Sequence, residues 1–190
     1  MPPPDSTAAD STTADSTAQS TAGDSVRTHP AVQRVRVALA EAGLTASIVV
    51  LDGAARTAAQ AAAYLGVAVG QIANSLVFAG RANHAGPDDP PLPVLVLTSG
   101  AHRVDPDTVA RGLGLAGLGR ADAEFVRAHT GFAIGGVAPV GHTRPILTAV
   151  DRHLERFDVI WAAAGHPHAV FPTTFAELVR ATEGRPIEVD

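Results

Sequence analysis

The chain has 190 residues, no cysteine and a formal net charge of −5, which excludes disulfide frameworks, thiolate metal sites and cysteine nucleophiles. All fourteen basic residues are arginine, so Schiff-base and lysine-base chemistry is excluded as well. Residues 1–27 hold Asp5, Asp10, Asp15, Asp24 and Arg27, a net of −3, which leaves −2 for residues 28–190; a protein that grips duplex nucleic acid through many phosphates is normally basic, so duplex DNA is not an expected partner.

The N-terminal stretch repeats Asp, Ser, Thr and Ala without an aromatic or sizeable aliphatic residue before Val26. It cannot bury enough apolar area to offset its ordering entropy, so residues 1–27 are expected to be a disordered tail and residues 28–190 one folded domain. No basic leader followed by an apolar run opens the chain, and no run approaches the roughly 20 apolar residues of a membrane span. A soluble, cytoplasmic protein is expected, with no membrane partner.

Val32, Val35, Leu39 and Ala42 recur at helical spacing before Gly43, predicting a helix over 30–42. Ile48 to Leu51 reads as a short strand, and Thr57-Ala58-Ala59-Gln60 as a capping box opening a helix that stops at Gly66. Ile72 to Phe78 is apolar enough for a buried strand, yet it carries Asn74 and Ser75, whose polar groups must find partners. A polar loop over 80–91 precedes a strand at Val94 to Thr98. Asp105-Pro106 is an N-cap with proline at the first helical position. Ser99 and His102 lack a nucleophile-elbow sequence around them, and a strand end before a turn often carries serine.

A second short helix is expected over 121–129, then a stretch unlike any other, TGFAIGGVAPVGH at 130–142. Gly131, Gly135, Gly136 and Gly141 free the backbone, while Pro139 fixes a φ angle and removes a donor. Such a run is either a plain surface loop or a cradle of backbone N–H groups at a ligand. Ile146 to Val150 reads as a strand ending at Asp151, itself a helix start, and Val159 to Ala163 as a buried strand running into Gly165-His166-Pro167-His168. Alternating histidines on an extended segment point to opposite faces, so no metal site is expected at His166 and His168. A strand closes at Phe171, and Thr174-Phe175-Ala176-Glu177 is a capping box for a last helix.

Strands interleaved with short helices indicate an α/β or α+β domain. Gly135-Gly136-Val137-Ala138-Pro139-Val140-Gly141, with TAAQAAAYLGVAVGQIANSLVF upstream and Asp151 and Ala164-Gly165-His166 downstream, resembles the YbaK family of aminoacyl-tRNA editing domains over roughly residues 30–190. The family includes free-standing deacylases and the insertion domain of bacterial prolyl-tRNA synthetase. The resemblance implies a mixed, curved, partly barrel-like sheet surrounded by short helices, and hydrolysis of the ester of a tRNA mischarged with a small amino acid, without a cofactor. It implies the 3′ end of aminoacyl-tRNA as substrate and an aminoacyl-tRNA synthetase as possible partner. Gly135 and Gly136 would position water and the oxyanion. Ser75, Val137, Ala138, Pro139, Gly141, His142, Asp151, Gly165 and His166 would line the substrate site. Characterised deacylases carry lysine where this chain has Asn74, which offers a neutral donor and acceptor but no charge. The alternative class is a non-catalytic tRNA- or synthetase-binding module of the same fold.

Overall fold

The computed structural model describes residues 23–86 and 88–190. Disorder was expected for residues 1–27, of which 1–22 lie outside the described residues; residues 23–28 are helical, Val26 packs on the core and Arg27 Nη1 donates to Ile48 O at 3.1 Å.

The helices are α1 (Pro30–Glu41), α2 (Ala58–Leu65), α3 (Pro106–Leu113), α4 (Ala123–Thr130) and α5 (Phe175–Thr182). Their ends follow the local chemistry. Thr57 caps α2 by accepting from Gln60 N, but Gln60 reaches back to Arg56 N rather than to the cap residue. At Thr174 the box is reciprocal, with Glu177 Oε2 accepting from Thr174 N at 3.0 Å. Asp105 and Asp122 cap α3 and α4, and left-handed Gly66, Gly114 and Gly131 terminate α2, α3 and α4.

The strands are β1 (Val49–Val50), β2 (Ile72–Ala82), β3 (Leu92–Ser99), β4 (Leu115–Arg120), β5 (Leu147–Asp151), β6 (Ile160–His166), β7 (Ala169–Thr173) and β8 (Arg185–Ile187). They form one mixed sheet in the order β1-β7-β6-β2-β3-β5-β8, with β4 also paired to β2. The sheet curls into a half-barrel with short helices around it, the architecture that the family resemblance implied. Two strands were not foreseen. Leu115-Ala-Gly-Leu-Gly-Arg120 alternates with glycine and has little strand propensity of its own, so β4 exists only because β2, which continues past Phe78 to Ala82, supplies a partner. The three residues of β8 pair in parallel with β5 and are too short for a periodic signal.

β3 is buried on both faces. Leu95 and Leu97 enter the main core inside the curl, with Val32, Val35 and Leu39 of α1, Phe132, Ile160, Phe171 and Leu178. Val94 and Val96 pack outside against Val109 and Leu113 of α3. A strand buried on both sides reads as a continuous apolar run, and Val94-Leu-Val-Leu97 is one.

α1 crosses the end of β6 at Gly165, whose φ is +86° and where an added Cβ would lie 2.8 Å from Ala31 O. Gly165→Ala therefore combines left-handed strain with a backbone clash and is expected to cost about 2–3 kcal/mol. Thermal unfolding should show a Tm lower by about 5–10 °C.

Candidate functional site

β2 serves two neighbours on one edge. Ile72 and Ala73 pair in parallel with Trp161 and Ala162 of β6, and Phe78 to Ala82 pair antiparallel with β4. Between them, residues 74–77 have β3 on one side and no strand on the other. A cleft occupies this gap. Its first lobe, about 230 Å³, is bordered by Asn74, Ser75, Arg56, Trp161, His166 and Gly135. The second, about 350 Å³, is bordered by Ser75, Phe78, Leu118, Arg120, Val126 and Gly135. Ser75, Leu76, Ile134, Gly135 and Val137 belong to both lobes.

The glycine-rich stretch lies across this gap. Ala133 to Gly136 is a tight turn, closed by Gly136 N–H donating to Ala133 O at 3.0 Å, with Gly135 at φ +88°. Gly136 packs against the β6–β7 turn; a Cβ there would sit 3.4 Å from Gly165 O and His166 Cα. Arg34 of α1 holds both ends of the stretch: Nε donates to Gly141 O at 2.8 Å and Nη2 to Gly131 O at 2.9 Å, and the guanidinium lies 4.4 Å from the Phe132 ring centre. Only arginine has the fork and the flat face for all three contacts. Nothing in the spacing of α1 marks Arg34 as more than a polar-face residue.

The expected site residues divide into two groups. Asn74, Ser75, Gly135, Val137 and His166 border the cleft. Gly136 stands beside it, and its N–H is spent inside the turn rather than turned to a ligand. Six others are corrected by their surroundings. Ala138 is fully buried, while Pro139, Gly141 and His142 border a separate cavity with Ala38, Glu41 and Arg180. His142 Nε2 pairs with Ala138 O at 2.8 Å; burial, then the charge of Arg34, lowers its pKa, so a neutral imidazole donates and locks the stretch. Gly165 makes the bend of β6 against α1 and does not border the cleft.

Asp151 is the sixth. It is 0% exposed and lies inside the fold, not at the cleft edge. Oδ1 accepts from His153 N at 2.9 Å, starting the 3-10 turn Arg152–Arg156. Oδ2 accepts from Ser99 N at 2.9 Å and from Thr98 Oγ1 at 3.3 Å. His102 Nδ1 is 3.1 Å from the same oxygen, an ion-pair distance with an angle too bent for a hydrogen bond. Ser99 Oγ donates to Gly70 O at 2.8 Å. Ser99, His102 and Asp151 thus tie strand ends together.

His166 and His168 are not on opposite faces as expected. The strand breaks register after Ala163 and His168 sits in the turn, so the two rings lie 5.5 Å apart, with His29 5.1 Å from His166. His168 N–H donates to His166 Nδ1 at 3.2 Å. Partial burial first, then the neighbouring His29 and His168, lowers the pKa of His166. Its neutral form with Nε2–H is therefore favoured, a donor at the lip of the cleft. Arg56 borders the first lobe and Arg120 the second, and the ion pairs among the described residues involve His102 only, so neither arginine faces a carboxylate partner there.

The model of the family described as "Aminoacyl-tRNA editing domain" matches residues 52–181. The chain belongs to this family. A structure solved as a candidate trans-editing enzyme for prolyl-tRNA synthetase is 38% identical, with a TM-score of 0.74, covering 85% of this chain and 97% of its own. A scaffold protein from computational epitope grafting is 36% identical, with a TM-score of 0.75, over 85% and 98%. The hypothetical protein APE2540 is 29% identical, with a TM-score of 0.70, over 82% and 98%. No curated protein sequence matches the chain. No helix among the described residues is long and apolar enough to cross a membrane.

Two substitutions separate support from cleft. Asp151→Ala leaves the Ser99 and His153 amides without their acceptor and should cost about 3 kcal/mol, read as a Tm lower by about 6–12 °C. Arg34→Lys should keep the fold but release one end of the glycine stretch; hydrogen exchange of the Gly136 amide, closed onto Ala133 O, should become at least about tenfold faster.

Proposed function

We propose that this protein hydrolyses, in trans, the ester joining a small amino acid to the 3′ end of a mischarged tRNA. The observation that carries the reading is the Gly135 turn across the gap in the sheet. The N–H groups of Gly135 and Val137 have no partner among the described residues, and both residues border the cleft. An aminoacyl ester is intrinsically labile, so positioning of water and stabilisation of the developing oxyanion are enough. Water adds to the ester carbonyl carbon and gives up a proton, the carbonyl oxygen takes the negative charge beside these amides, and the bond to the ribose oxygen breaks as that oxygen gains a proton, returning free amino acid and tRNA. Gly136 contributes close packing rather than a donor. Neutral His166 donates Nε2–H at the lip.

The 3′ end of tRNA is anionic, and Arg56 supplies the positive charge that Asn74 does not. Asn74 remains a hydrogen-bonding residue of the first lobe. No cofactor is required. A synthetase partner would add the RNA affinity that a nearly balanced surface lacks, and the reaction belongs to the cytoplasm, where tRNA is charged. Asparagine at the position of the family lysine also favours a second reading, a tRNA- or synthetase-binding module without turnover.

The test is release of labelled amino acid from preformed alanyl, cysteinyl and seryl esters on several tRNAs. Wild-type protein should hydrolyse at least one. Gly135→Ala, whose Cβ meets nothing within 4 Å but whose φ suits glycine, should lose about 100-fold in kcat with the fold kept. No hydrolysis on any ester would sink the enzymatic reading; activity appearing only in Asn74→Lys would establish the binding module.

The pH profile should follow His166. Protonation removes the Nδ1 lone pair that accepts His168 N–H and orients the ring, so kcat/KM should fall as pH drops through a midpoint below the ordinary 6.5. His166→Gln, which retains a donor, should flatten that limb while keeping the rate within about tenfold.

A further inference from the structure

We infer that the free edge of β2 reads the aminoacyl group as if it were one more residue of a strand, and that this restricts the site to esters carrying an α-amino group. The inference rests on the deacylase reading and adds to it the chemical feature by which substrate is recognised.

Gly100 N–H donates to Ile72 O at 2.8 Å, so Ile72 turns its backbone polar groups toward β3. Alternation then turns those of Asn74, Leu76 and Phe78 toward β3, and those of Ala73, Ser75 and Val77 toward the opposite edge. On that edge pairing with β6 ends at Ala73 and pairing with β4 begins at Phe78. The N–H and C=O of Ser75 and the N–H of Val77 therefore face a gap about 13 Å long, four residues at about 3.3 Å each. An unpaired edge is a template for another backbone-like group.

Ser75 carries a further unmet group. Its Oγ is buried and has no hydrogen-bond partner among the described residues. Side chain and backbone of one residue, at the wall shared by both lobes, thus lack partners, and leaving a buried polar group such as Oγ unpaired is unfavourable. A ligand that satisfies them recovers that cost.

An aminoacyl ester has the required pattern. Its α-ammonium and ester carbonyl stand on either side of one Cα, as the N–H and C=O of a single residue do. The ammonium donates to Ser75 C=O, and the ester carbonyl accepts from Ser75 N–H. Held in this way, the carbonyl oxygen lies between the strand edge and the Gly135 turn, so a donor from each side meets the charge that develops there. A simple acyl ester, without the α-amine, keeps only half of the pairing.

The test uses the full chain, ¹⁵N-labelled, with 3′-deoxy-3′-(alanylamino)adenosine as a stable probe and its propionylamino counterpart lacking the amine. The alanyl probe should shift the Ser75 and Val77 amides and slow their exchange, leave the Asn74 and Leu76 amides unchanged, and bind at least about tenfold tighter than the propionyl probe. In parallel, alanyl-tRNA should be hydrolysed at least about tenfold faster than propionyl-tRNA. Ser75→Pro removes the N–H that faces the gap, together with Oγ, but keeps the C=O that pairs with the ammonium, so it should retain the fold and slow both esters at least about tenfold while the alanyl preference persists; Leu76→Pro removes a donor of the β3 ladder and should unfold the domain.

Hydrolysis with equal rates on both esters, or with the Ser75 and Val77 amides unperturbed by the alanyl probe, overturns the inference and leaves the deacylase reading standing. Protection of those amides without hydrolysis of either ester supports the strand-edge contact and removes turnover instead. If neither ester is cleaved and no amide responds, both fall.

Discussion

The structure depends on one shared edge. β2 is long enough to pair with β6 at its start and with β4 at its end, but the two neighbours arrive from different directions and do not meet. Closing the curl completely would have filled the gap with a ladder. Leaving it open places unpaired backbone, both lobes of the cleft and the glycine turn at one spot, so the sheet's imperfection and the candidate site are the same feature.

What spans that gap is held from behind. Arg34 lies on the buried side of the stretch and takes the carbonyls of Gly131 and Gly141, while neutral His142 closes on Ala138 O within it. Gly131, Gly135 and Gly141 all have positive φ. Regions of the backbone that side chains avoid are thereby paired with anchors that persist without ligand, which is how a short irregular segment can present a donor without being loose. The same economy of position explains the small residues beneath it: a Cβ at Gly136 would only touch His166 Cα, whereas Gly165 against Ala31 O leaves no room for one.

Electrostatics in the cleft are sparse. Asn74, Ser75 and neutral His166 are donors and acceptors without net charge, and Arg56 and Arg120 stand at the two lobes. The conspicuous cluster of ionisable side chains, Asp151 with His102, His153 and Asp190, lies away from the cleft and joins the ends of β3, β5 and the C-terminal segment. Buried charge here marks structural cross-linking, whereas the cleft is lined chiefly by neutral side chains and by backbone that no strand pairs.

The sequence by itself determined the local features whose cause lies within a few residues: the caps at Thr57, Asp105 and Thr174, the glycine stops, the doubly buried run of β3, and the family motifs that identify the editing domain. It also pointed to Asn74, Ser75 and Gly135, because a polar pair inside a strand and a glycine run are visible without coordinates, and to Val137 and His166 through the family resemblance. Tertiary structure decided the rest. The existence of β4, the inward burial of Asp151, the grip of Arg34 and the arrival of Arg56 at the cleft each depend on a partner distant in sequence. Propensity and spacing carry information over one turn or one strand; which edge stays unpaired is set only when the strands compete for β2.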